Sequence, residues 1–138
     1  MAQTITNKGF APPAASFLPA AHNEALVDQT MVAGTKTTTT KDTGVVGLKW
    51  IRVRALLKTL GDLVAGDTFV VTVQVGTGAA LTAPTQAAHR SVTMLTGDTA
   101  IQVDVLGWSN AGFQSYAITF SSSGTSRTSV IDCMVDAG

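Results

Sequence analysis

Charge is scarce in this chain. Only 13% of its 138 residues are charged, about half the share of roughly 25% usual in globular proteins. The nine basic side chains balance the nine acidic ones, so there is no overall field to draw in nucleic acid, an anionic membrane or an acidic substrate. No nucleic-acid or membrane partner is therefore expected. Thr, Ser, Gln and Gly must supply much of the surface polarity, as is common in β proteins that pack against copies of themselves or against a large partner. Cysteine is almost absent. Cys133 stands alone, which excludes an internal disulfide, and its alternation with Ile131 and Val135 makes it a core filler rather than a nucleophile. No apolar run approaches the ~20 residues that span a bilayer. The opening Met-Ala-Gln-Thr-Ile-Thr-Asn-Lys-Gly-Phe lacks the basic segment and continuous apolar block of a secretory signal, so the protein is expected to stay where it is made.

The groups from which catalytic sites are built are also few. Glu24 is the single glutamate, so a paired-carboxylate site would have to be assembled from aspartates. Three of the eight sit in the turn sequences Asp42-Thr43-Gly44, Gly66-Asp67-Thr68 and Gly97-Asp98-Thr99, where a carboxylate ordinarily bonds nearby backbone N–H groups. The two histidines, His22 and His89, have no second metal-ligand type at a familiar spacing and read as solvent-facing or interface residues. Gly76-Thr77-Gly78 lacks the Lys-Ser/Thr and the helix of a phosphate loop, and no nucleophile elbow, zinc-protease or calcium-loop pattern occurs. The expectation is a protein that is not an enzyme and carries no cofactor.

What is present is alternation. From Gly66 to Gly78, Phe69, Val71, Val73 and Val75 point one way, while Thr68, Thr72 and Gln74 point the other, with Val70 the one apolar residue among them. This is a strand with one apolar and one wet face, and such a strand needs a second sheet over it. Further strands are expected over Glu24 to Val32, Thr35 to Thr40, Val45 to about Leu57, Ser91 to Leu95, Thr99 to Leu106, Gln114 to Ser121 and Thr128 to Val135. Residues 59–65 read as a turn or at most a single helical turn. Residues 77–90 read as a long loop that crosses the domain or reaches a neighbour, and residues 107–112, Gly-Trp-Ser-Asn-Ala-Gly, as another. About eight strands with no credible long helix predict an all-β, antiparallel β-sandwich over residues 24–138, a jelly roll or related Greek key.

Residues 1–23 are different in kind. Phe10, Pro12, Pro13, Phe17, Leu18 and Pro19 stand among Ala, Ser and Asn with neither helical nor strand period, which predicts an extended N-terminal arm. Its apolar residues suit anchors that dock into grooves on a neighbouring subunit or another protein; the alternative is an arm folded back over its own domain. Two further groups are interface candidates. Trp50, Arg52 and Arg54 share the face opposite Ile51, Val53, Ala55 and Leu57, with Lys49 marking the rim. They form either a basic, aromatic surface for phosphate or a single-stranded nucleic acid, or an outer sheet face whose arginine stems lie over tryptophan or which contacts an acidic partner. Trp108 and Phe113 flank the Ser-Asn-Ala-Gly segment, where they either fold onto the sandwich end, enter a subunit contact, or stack on a sugar ring together with Asn110.

The chain combines a small neutral β-sandwich with a loose N-terminal arm, a Thr-rich entry, the Gly-Asp-Thr and Val-Thr-Val-Gln-Val-Gly-Thr-Gly strand, and a terminal Val-Ile-Asp-Cys-Met-Val. Together these resemble the jelly-roll capsid cement or decoration proteins of tailed bacteriophages. The likeness covers residues 24–138 in style, with Val73 to Gly78 as its motif. It implies a structural virion protein on the outer capsid surface, made in the host bacterial cytoplasm. Its partners would be the major capsid protein and copies of itself, a trimer being favoured over a dimer. The alternatives are a carbohydrate-binding module and a tail or baseplate component.

Overall fold

The computed structural model describes residues 24–30, 35–38, 40–123 and 129–138. The expected arm, residues 1–23 with Phe10, Pro12, Pro13, Phe17, Leu18, Pro19 and His22, lies outside them. The described chain is all β: β1 (Glu24–Thr30), β2 (Thr35–Thr37), β3 (Lys41–Asp42), β4 (Leu48–Thr59), β5 (Thr68–Thr77), β6 (Thr82–Thr93), β7 (Ile101–Phe113), β8 (Ser115–Ser122) and β9 (Val130–Ala137). One sheet has the order β1-β9-β4-β7 and the other β2-β8-β5-β6, with β3 also pairing to β8. All pairs are antiparallel. Since β2 and β3 lie in succession along β8, they act as one interrupted strand, and eight strand positions result. Successive positions pass from sheet to sheet except at the β5–β6 hairpin, which is the double Greek key of a jelly roll.

Alternation sets the packing. Ile51, Val53, Ala55, Leu57, Ile101, Val103, Val105, Ile131, Cys133 and Val135 are buried from the four-stranded sheet. Phe69, Val71, Val73, Val75, Tyr116, Ile118 and Phe120 are buried from the other. The rings of Phe69 and Phe120, on adjacent strands, stack with centroids 6.1 Å apart and planes 5° from parallel, a contact worth about 0.5–1.5 kcal/mol beyond its buried area. One end of the sandwich is stitched by two of the three expected turn aspartates. The Asp67 carboxylate accepts the Val64 N–H at 3.0 Å, and that of Asp98 accepts the Leu95 N–H at 2.8 Å. Met94 and the Gly66–Asp67 backbone then exchange two hydrogen bonds that join one turn to the other.

Two expectations are corrected. Residues 77–90 are no crossing loop: after a turn at residues 78–81 the chain reverses into β6, which pairs along β5 from Thr82 to Thr93. Because β6 is an outer strand whose side chains are mostly exposed, it carries no apolar alternation to read. The end of the turn and the start of β6 are unusual, with Leu81 and Ala83 at φ of 55° and 47°, a region that residues other than glycine seldom occupy. Residues 107–112 are no loop either, since β7 runs unbroken to Phe113. Gly107 is there for want of space: a Cβ on it would lie 2.6 Å from the Ala87 carbonyl oxygen, where β6 closes against β7.

Gly107→Ala should therefore strain the corner where the two sheets meet. A loss of about 1–3 kcal/mol is expected, read as a lower urea midpoint with an unchanged slope; an unchanged midpoint would refute the close approach.

Candidate functional site

The two separated aromatic candidates meet on one surface. Because β4 and β7 are neighbours, Trp50 lies opposite Trp108, Arg52 opposite Leu106 and Arg54 opposite Asp104. Ile51, Val53 and Ala55 face the core, so the pleat turns the even-numbered residues outward. Trp108 is 64% exposed and Leu106 54%, while Trp50 and Arg52 are half-buried. These four and Asp104 line a hollow of about 360 Å³ on the outside of the four-stranded sheet. The volume falls at the lower end of the roughly 300–1,000 Å³ usual for ligand pockets.

Its electrostatics are balanced. Arg52 Nε donates to Asp104 Oδ1 at 3.2 Å, and Nη2 lies 3.5 Å from Oδ2. The basic residues nearby are likewise dispersed among separate partners. Lys58 Nζ lies 3.2 Å from Asp132 Oδ2, Lys49 Nζ donates to the Asn110 carbonyl at 2.9 Å, and Arg54 Nη2 lies 3.7 Å from Met134 Sδ. What remains conspicuous on this face is apolar: the two indoles, Leu106 and the 39%-exposed Met134.

Phe113 is corrected as an interface residue. At 2% exposure it belongs to the core, because beyond Trp108 the register shifts and Phe113 comes to pair with the buried Leu48, and it offers no ring to a partner. Asn110 is exposed, with its carbonyl held by Lys49. His89 is exposed on β6 beside Thr72, with 3.1 Å between Nδ1 and Oγ1. Leu106, Asp104 and Met134 were missed as members of the face. Leu106 could have been found, since it is apolar yet out of phase with Ile101, Val103 and Val105. Among the described residues no three His, Cys, Asp or Glu side chains gather as metal ligands, and no helix is long and apolar enough to cross a membrane.

No family model matches the chain, and no curated protein matches it. Among solved structures, it is similar to part of an arabinose-bound MgGH51 α-L-arabinofuranosidase. The identity is 11% and the TM-score 0.42, over 77% of this chain and 18% of that enzyme. So remote a likeness leaves function to be argued from the chain's own residues.

Cys133 is in the core, as expected. Burial pushes its thiol well above the ordinary value and the nearby Asp132 carboxylate adds to the shift. Burial also raises Tyr116, with Cys133 contributing. Both groups keep their protons in the folded state at pH values where the unfolded chain gives them up. Their contribution is full below the unfolded values of about 8.5 and 10 and declines as the pH climbs toward the raised folded ones. The urea midpoint should thus fall between pH 8 and pH 10.5, and less steeply in Cys133→Ala. A thiol reagent should leave native Cys133 unmodified at pH 8; rapid native modification would contradict its burial.

Proposed function

We propose that this chain is a structural protein of a tailed-bacteriophage virion. It binds the outer surface of the assembled capsid between major capsid subunits, acts as a homo-oligomer and stabilises the shell. The observation that carries this reading is the aromatic outer face: a pleated, preorganised sheet displays Trp50, Trp108 and Leu106 around one arginine–aspartate pair. Tryptophan and arginine are the residues that most often dominate protein–protein binding energy. Such side chains on a sheet that is already ordered lose little freedom on docking. The resemblance of the sequence to capsid cement proteins supports the major capsid protein as the neighbour.

Physics supplies the rest of the mechanism. A surface lattice presents the same junction many times, and an oligomer that engages several junctions multiplies modest contacts. Whatever binds assembled shell more tightly than free subunits shifts the equilibrium toward the shell, which is how a bound sandwich would reinforce it against packed DNA.

The test is co-sedimentation of the purified protein with empty shells of the phage that encodes it. Wild type should pellet with shells and raise their unfolding temperature. Trp108→Ala should keep its β circular dichroism but bind about 30-fold more weakly, equivalent to about 2 kcal/mol. Deletion of residues 1–20 should also weaken binding. Wild-type protein that stays in the supernatant with shells present would end this reading.

A further inference from the structure

We propose that the Trp50–Trp108 hollow is a socket for the N-terminal arm of a second copy of this chain, so that copies join head to tail. The inference rests on the reading of the outer face as a surface for protein neighbours, and it names one such neighbour. Three observations carry it.

The first is chemical fit. Aromatic-lined grooves recognise extended, proline-rich segments because these are already stiff and lose little entropy on docking. Residues 1–23 contain Phe10-Ala11-Pro12-Pro13 and Phe17-Leu18-Pro19, and Lys8 is their one charged side chain. The hollow has indole walls, an apolar Leu106 and an ion pair whose charges cancel. A nearly uncharged apolar segment suits a nearly uncharged apolar hollow; a nucleic acid or an acidic peptide would not.

The second is placement. β1 and β7 are the two outer strands of the same sheet. The arm joins the domain at Glu24, which opens β1, whereas Trp108 and Leu106 stand on β7. An exit at one edge and a socket at the other is the geometry of a heterologous contact, which closes into a ring when the rotation between copies allows. From Phe17 to Glu24 the extended chain spans roughly 23 Å, enough to pass beyond the edge of its own sheet to a neighbour.

The third is what an arm would cover on the way. To reach its own hollow from Glu24, which pairs with Met134, it must pass over β9 and onto β4 at the level of the Arg54 guanidinium and its contact with Met134. Laying an apolar segment on that ground desolvates charges without replacing their water. An arm arriving from beyond β7 meets Trp108 and Leu106 first and avoids it.

Trp50 and Trp108 are the chain's two tryptophans, so intrinsic fluorescence reports the socket directly. In the full-length protein, without shells, emission should be blue-shifted at high concentration, where the protein sediments as an oligomer. It should move to the red on dilution as monomer appears. Trp108→Ala and the double variant Phe17→Ser, Leu18→Ser should each raise the dissociation constant at least about 30-fold with native circular dichroism. Excess synthetic peptide of residues 8–20, which has no tryptophan, should break up the wild-type oligomer while its emission stays blue. Oligomers indifferent to both variants, or blue emission in a monomer at every dilution, the mark of an arm in its own hollow, would overturn the proposal. Because no shell is present, either failure is separate from failure to bind shells.

Discussion

Everything on the surface of this protein is positioned by the burial of one face of each sheet against the other. Aliphatic side chains and one thiol of the four-stranded sheet meet the larger side chains of its partner, among them Phe69, Tyr116 and Phe120. Strand side chains alternate with a period of two, so slipping β4 or β7 by one residue would carry its whole apolar set into water. The cost of that slip locks the register. Trp50 and Trp108 are thereby held on the outside as firmly as Ile51 and Val105 are held inside.

The aromatic residues show how this constraint divides labour. In the described part of the chain, Phe69, Phe113, Tyr116 and Phe120 are all in the core, while Trp108 is mostly exposed and Trp50 half so. A chain with only 6% aromatic residues thus leaves its two largest ones outside, on adjacent strands and directly opposite each other. Isolated exposed apolar residues such as Val46 and Val64 are ordinary on protein surfaces. Paired indoles beside Leu106 form a contiguous patch, and contiguous patches mark contact surfaces.

Legibility in the sequence followed the same physics. Strands buried on one face alone announce themselves by alternation, and β4, β5, β8, β9 and the first half of β7 were readable for that reason. β6 was read only at its end, from Ser91 to Thr93, because an exposed outer strand need not alternate. The second half of β7 was lost at Gly107, read as a breaker when its lack of a side chain is what lets Ala87 approach. That error propagated to Phe113. Parity alone would not have placed Phe113, since the register shifts between Trp108 and Phe113 and Ala111, of the same parity, is exposed; its inward position comes from pairing with Leu48. The outward phase of Trp50, Arg52 and Arg54 was legible from β4 by itself. That Trp108 would complete the hollow was not, since pairing between strands so distant in sequence is a property of topology.

The low charge of the chain bears on how such a face can persist. A surface with few charges and zero formal net charge has little electrostatic repulsion to keep molecules apart, and an exposed aromatic patch on it invites association. The polar devices elsewhere do not offset this. The Asp67 and Asp98 carboxylates are occupied in holding turns, and Arg52, Lys58, Asp104 and Asp132 are engaged in pairs. A free monomer would carry this patch as an aggregation liability, whereas an assembly that covers it converts the same side chains into binding energy. The composition and the face are therefore mutually consistent for a protein that works in contact with protein neighbours, and a solitary, soluble working state would require some other cover for Trp50, Leu106 and Trp108.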